Sequence, residues 1–424
     1  MAGANTAASC IMGHSDANVA AMKDMGMNSR SAILRGRGHE DGRVGAIELF
    51  FDLVFVFAVT QLSHYLLHHP TPGGAFQAGL LFAAVWWVWV YTIWCTNWLN
   101  TDATSVRLML FAMMAAGLFL SMAISDGFGA GRQVFGLAFA AGHVGRPLFM
   151  LAVLRGRSES NFRNFQRILF WACLSSAFWI AGALVEREAT PFLWVIALAI
   201  DLAGPANGFR VPGLGRSTTA DWDVEAHHLS ERCGLFVIIA LGESLLLTGA
   251  TFQDQAWNWP ATIAFASAFA SAVGMWWIYF HIGAERATDN FAHSDDRGRV
   301  ARFAYTYVHM LIVAGIIVSA AGDEVLIAHP DGHLESAALA FLIGGPFLFL
   351  AGVLIFKRAT VGTAGLSHMV GLSLLLLLGA SAGALHLSPV AISMATSLIL
   401  ALVAMWETVS FGRASARGEA DLAA

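Results

Sequence analysis

Charge is what this sequence has least of: Asp, Glu, Lys and Arg together make up 12% of the chain, against roughly 25% in soluble globular domains. That shortage excludes a fold wrapped in a hydrated surface. Cysteine is equally thin. Cys10, Cys95, Cys173 and Cys233 stand far apart, three of them inside apolar runs, with no CxxC or Cys/His grouping, which excludes a disulfide framework and a thiolate zinc site. No GxxxxGK[ST], HExxH, GxSxG or dinucleotide fingerprint occurs, so the familiar nucleotide, zinc-protease, hydrolase and nicotinamide readings fall away, and no cofactor is expected. The net charge of −5 removes nucleic acid as a partner.

What fills the chain instead is apolar sequence, 57% of all residues. A bilayer crossing needs about 17–25 predominantly apolar residues. Runs of that kind fall near 47–67, 76–98, 106–125, 133–154, 168–185, 191–206, 233–252, 261–283, 303–322, 336–356, 364–384 and 390–410. The pattern predicts an all-α, polytopic integral membrane protein of about twelve transmembrane helices, with the lipid bilayer as its first partner. Basic residues test that count: of 24 Lys and Arg, all but Arg132, Arg146 and Arg187 fall in segments on one side if both termini are cytoplasmic. The expected location is the cell inner membrane. No removable signal peptide is read near the start, where Met1 and Met27 are both candidate initiators.

The two halves look duplicated. Glu48 and Glu231 stand at the entries of runs one and seven, Trp86-Trp87 and Trp276-Trp277 lie in runs two and eight, and Arg107 and Arg302 open runs three and nine. PLFMLAVLRGR from Pro147 resembles PFLFLAGVLIFKR from Pro346, and Thr190-Pro191 and Ser388-Pro389 start runs six and twelve with the same cap-then-proline chemistry. Six spans per half insert both halves the same way up, giving two parallel six-helix repeats. The expected organisation is a disordered cytoplasmic tail over 1–43, a first repeat over 44–206, a cytoplasmic linker over 207–230, a second repeat over 231–411 and a disordered tail over 412–424.

Buried ionisable residues carry the functional information, because a carboxylate at mid-membrane costs roughly 2.5–3.5 kcal/mol on insertion scales and is rarely left to lipid. Glu48 and Asp52 are four residues apart and share one helix face, which should look inward. For Glu48 an N-terminal cap is the competing role. Glu243, with Ser244 beside it, sits at the middle of run seven and can take up and release a proton. His143 and Arg146 share a face of run four, and the arginine needs an acid such as Asp52, Asp201 or Glu243. His309 lies inside run nine, where a structural hydrogen bond is the simpler role. His227, His228 and Glu231 could share one helical turn, a weak metal candidate that lacks further ligands.

ELFFDLVFVFAVTQLSH (48–64), YTIWCTNWLNTD (91–102) and HLSERCGLFVIIALGES (228–244) resemble the signature blocks of the bacterial low temperature requirement A family. The resemblance spans about residues 43–410. It implies a multi-spanning membrane protein of a family named for a cold-growth phenotype, and carries over no substrate or catalytic residue. Within run one, Phe50, Asp52, Val54, Phe55, Ala58, Thr60 and Leu62 are also similar to the pattern opening the six-helix units of a bacterial and lysosomal potassium-channel family. Phe51 stands where that pattern has serine, and run seven has Cys233-Gly234 with no matching aspartate.

Transport follows as the leading expectation: protons, small cations or a small solute passing between the two halves, with Asp52 and Glu243 facing each other near the repeat axis. A membrane-embedded enzyme or cofactor binder using His143, His309 or the His227, His228 and Glu231 group is the alternative, and a non-catalytic membrane organiser in cold adaptation is a third. A second copy of the chain is an allowed partner.

Overall fold

The computed structural model describes residues 33–35, 44–219, 222, 224–255, 257–281, 283–330, 336–362 and 365–423. Among these there are helices and two isolated β-bridges, Leu34 with Leu99 and Val211 with Gly215. The helices are α1 (Ala46–His68), α2 (Pro72–Thr96), α3 (Thr104–Ile124), α4 (Arg132–Leu154), α5 (Glu159–Leu184), α6 (Thr190–Ala206), α7 (Ala226–Gln253), α8 (Trp259–Phe280), α9 (Gly283–Ala292), α10 (Arg297–Ala328), α11 (Ser336–Thr360), α12 (Leu366–Ala382) and α13 (Pro389–Ala423). Eleven spans are long and apolar enough to cross a membrane, and α12, at 17 residues, is a shorter apolar helix. With α12 they account for the predicted twelve runs. Leu53, Phe119, Leu376 and Leu398 are exposed on the outside of the bundle, where acyl chains cover them.

The differences from the sequence pattern lie at helix ends. Helix α7 begins at Ala226, inside the expected linker, because Glu225 accepts from the His227 amide while Asn97 holds the Glu225 backbone from both sides, at 2.8 Å each. His227, His228 and Arg232 therefore ride on the helix. Helix α13 runs on to Ala423 where a disordered tail is expected, a stretch rich in the helix formers Ala, Arg and Glu. Most of the expected N-terminal tail lies outside the described residues, yet Ile33–Arg35 is docked on the α2 end, with Arg35 N donating to Trp98 O at 2.9 Å and Asn100 N to Ile33 O at 2.8 Å.

Helix pairings in the first half, α1 with α2 and α3, α3 with α4, α4 with α5, α5 with α6 and α2 with α6, recur in the second as α7 with α8 and α10, α10 with α11, α11 with α12, α12 with α13 and α8 with α13. The halves meet along α1, which packs against both α7 and α10. Residues 301–308 of α10 are wound as a π-helix, and two side chains accommodate the wide turn by bonding carbonyls five residues back: Thr306 Oγ1 to Ala301 O at 3.1 Å and His309 Nδ1 to Ala304 O at 2.8 Å.

Helices α10 and α11 touch backbone to backbone. A Cβ on Gly345 would stand 2.4 Å from the Ser319 amide nitrogen, and one on Gly315 2.4 Å from that of Phe349. Small residues let helices approach without a hydrophobic drive in lipid. Gly344, one position away, faces open space. Gly345→Ala should therefore destabilise the protein by about 2 kcal/mol. Gly344→Ala should be neutral or stabilise by up to about 1 kcal/mol. Thermal unfolding of both variants in detergent checks the contrast.

Candidate functional site

Two pairs of residues, each spaced by one helical turn, meet where α1 starts beside α7. Glu48 and Asp52 on α1 face His228 and Arg232 on α7, and all four are fully buried. Arg232 Nη1 donates to Glu48 Oε1 at 2.8 Å, while Nη2 and Nε form a fork on Asp52, at 2.6 Å to Oδ1 and 3.1 Å to Oδ2. Trp89 of α2 donates to Asp52 Oδ1 at 2.7 Å, and His228 Nε2 lies 3.0 Å from Glu48 Oε1. Arg35 completes the cluster, 3.0 Å from His228 Nε2 and 3.7 Å from Glu48 Oε2. Glu48 also accepts from the Gly45 amide at 2.9 Å, so capping its helix and pairing with Arg232 are combined in one side chain.

Higher on the same two helices, Glu243 of α7 accepts a hydrogen bond from the Thr60 hydroxyl of α1. The contacts climb α1 and α7 in the same direction, so the two helices run parallel, and from Glu48 to Thr60 the seam rises about 18 Å. Here the outward face of α1 changes character. Phe50, Leu53 and Phe57 give way to half-buried Thr60, Gln61 and His64. His64 Nε2 lies 3.8 Å from Glu324 Oε2 of α10, and Glu243 is itself half-buried, whereas its neighbour Ser244 is buried. Asp52 and Glu243 thus share a seam with different partners, in place of the expected mutual approach.

The remaining candidates group elsewhere. His143 Nε2 contacts Asp201 Oδ1 at 2.9 Å, and Trp179 donates to Asp201 Oδ2 at 3.1 Å, all within the first half. Arg146 makes its hydrogen bonds to Val88 O at 3.1 Å and Thr92 Oγ1 at 3.3 Å, with no carboxylate within ion-pair distance among the described residues. The expected acid partner is therefore not there: Asp201 is held by His143 and Trp179, and Asp52 by Arg232. His309 accepts from the Tyr279 hydroxyl at 2.7 Å through Nε2 and stacks on Tyr305, a structural arrangement. His227 and Glu231 line an open cavity of about 330 Å³ with Glu285, Ile238 and Phe280, while His228 points the other way, so the three weak metal candidates do not converge.

Charge counting along the chain assigns Arg232 and Lys357 to loops; both are buried. Lys357 Nζ grips Glu407 at 2.8 and 2.7 Å, with His368 Nδ1 3.3 Å from the same carboxylate, tying α11, α12 and α13 together. The signal for Arg232 was present in the sequence. A basic pair at i and i+4, His228 and Arg232, matches an acidic pair of the same spacing, Glu48 and Asp52. Nothing local marks Thr60, Glu324 or Glu407 as partners.

Comparison with known proteins agrees with this membrane architecture. The profile of the bacterial low temperature requirement A protein (LtrA) matches residues 43–405. A protein of Rhizobium meliloti (strain 1021), described as uncharacterised, is 39% identical over 384 residues, 89% of this chain and 92% of the relative. No solved structure matches the chain.

Removing one side of a buried ion pair leaves an uncompensated charge, at a cost of about 3–5 kcal/mol. Arg232→Met should lower stability by about that amount. Adding Glu48→Gln and Asp52→Asn to Arg232→Met should restore most of it, because the two acids that Arg232 held are then uncharged as well. Melting temperatures of the single and triple variants in the same detergent check the pairing.

Proposed function

We propose a transport function for this chain, which belongs to the bacterial low temperature requirement A family: protons or small cations cross along the α1–α7 seam between two six-span halves. The observation that carries this reading is the polar stretch of α1 from Thr60 to His64, half-open to its surroundings at the depth where Glu243 meets it. An acid left half-open at that depth is expensive against hydrocarbon, so the seam there is read as a water-filled crevice. Glu243 is the group that binds and releases the ion. His64 and Glu324, one turn beyond Thr60, extend the wet path toward the far end of the bundle.

The Glu48, Asp52, Arg232 and His228 cluster is the closed end of that path. Its acids are paired with Arg232 and Arg35 and bear no accessible face, which suits a gate better than an ion site. The recurring helix pairings and the parallel course of α1 and α7 support duplicated halves, whose relative rocking would loosen the cluster and open the seam. The distribution of Lys and Arg supports cytoplasmic termini and puts the gate on the inner side of the cell membrane.

Proteoliposomes carrying internal pH and potential dyes test the reading. The wild type should collapse an imposed proton or monovalent-cation gradient. Glu243→Gln keeps the side-chain size and the bond from Thr60 but cannot exchange a proton, and should abolish flux while folding normally. Flux equal to wild type in that variant removes Glu243 from the mechanism.

A further inference from the structure

Arg146 lies in α4 with only 2% of its surface exposed, and Asp201 is engaged elsewhere. Its protein hydrogen bonds both use Nη1, and its guanidinium carbon stands 5.2 Å from the centre of the Tyr91 ring. Nε and Nη2 meet no acceptor among the described residues. The guanidinium instead borders a cavity of about 50 Å³ walled by Tyr91, Trp94, Trp98, Phe165 and Tyr307. A second cation, Arg302, reaches the same cavity. It donates to Pro205 O at 2.8 Å and, like Arg146, has no carboxylate within ion-pair distance among the described residues. No Asp or Glu lines the cavity.

The two arginines face this aromatic wall with no ion-pair partner, and Asp201, the acid whose charge reaches Arg146, spends its oxygens on His143 and Trp179, so the cavity favours an anion. The wall that brings Arg302 is itself irregular. Arg302, Thr306 and Tyr307 belong to the π-helical stretch of α10, pinned by Trp94 Nε1 on Thr306 Oγ1 at 2.9 Å and Trp86 Nε1 on Thr306 O at 2.8 Å. Such π-turns concentrate at functional sites. The cavity holds more than one water, each needing about 10–15 Å³, and is far below the ~150 Å³ that admits a benzene ring.

We propose that this chamber is a binding site for a small planar monoanion of acetate or bicarbonate size. The free Nε and Nη2 edge of Arg146 grips two oxygens of the anion, Arg302 supplies the second positive charge, and the indole and phenol rings exclude water. A planar fork matches a planar oxyanion in a way a point charge does not. The site lies where α10 of the second half meets α2 and α4 of the first, apart from the α1–α7 seam, and stands whether or not that seam conducts.

The test is a titration of intrinsic tryptophan fluorescence on the purified full chain in nanodiscs, since Trp94 and Trp98 line the cavity. Sodium acetate, bicarbonate and chloride are added at constant ionic strength, balanced with gluconate, which is too large to enter. Acetate or bicarbonate should give a saturable change, and Arg146→Gln and Arg302→Gln should each weaken it at least about tenfold. Arg146→Lys, which keeps the charge and loses the fork, should weaken the oxyanions more than chloride. Should Arg146→Gln fail to fold, the half-buried Arg302→Gln decides. The proposal is overturned by a wild-type response that stays flat for both oxyanions up to about 100 mM, by a response to chloride alone, or by arginine variants that titrate like the wild type.

Discussion

The Arg232 guanidinium divides its nitrogens between Glu48 and Asp52, and the meeting of the two halves is built around that division. Stripping any of these ions of water costs several kcal/mol, and only close geometry with every lone pair and proton met repays it. That geometry demands that α1 and α7 lie parallel and in one register. Trp89 of α2, His228 and the docked Arg35 then serve the same two carboxylates, and Thr96 Oγ1 accepts from Arg232. Because the cluster tolerates no slippage, it sets the height at which Thr60 meets Glu243 further along the seam.

Polar groups elsewhere obey the same constraint with different solutions. His143 and Trp179 satisfy Asp201, Lys357 and His368 satisfy Glu407, and the π-turn of α10 is held open by Thr306 and His309 bonding back to its own carbonyls. In these groups the carboxylates and the open carbonyls are met, while His143 Nδ1 and His368 Nε2 stay buried without a hydrogen-bond partner among the described residues. Two of the places left open among the described residues combine ionisable groups with space beside them: the half-exposed face of Thr60, Gln61, His64 and Glu243, and the free edge of Arg146. In a bilayer an open polar group needs water, an ion or a ligand, and those two places are where function is sought.

Much of the architecture was legible because it rests on local chemistry. Long apolar runs with few charges inside them can do little except cross a membrane as helices. The run boundary at Ser388-Pro389 was readable from capping chemistry, Ser388 Oγ accepting from Ala391 N at 3.2 Å, whereas at Thr190-Pro191 the proline stands in the first turn but Thr190, already helical, turns its hydroxyl to Gly182 O. The start of α7 was misjudged since its cap depends on Asn97, more than a hundred residues earlier. Arg232 looked like a loop charge for the same reason. Arg146 was read as a deep cation and is buried, but the acids expected to pair with it are held by other donors.

By itself the sequence determined the helical membrane character, the approximate number of spans, the family and the choice of Glu48, Asp52, Glu243 and Arg146 as residues worth attention. Hydropathy and helical periodicity are properties of neighbouring residues, so a linear reading captures them. Only tertiary structure decided who pairs with whom, because a carboxylate's partner is whichever donor the packing of distant helices brings within 3 Å or so. That choice converted Glu48 and Asp52 from open acids into a sealed ionic cluster, and it left the Arg146 guanidinium with a free edge.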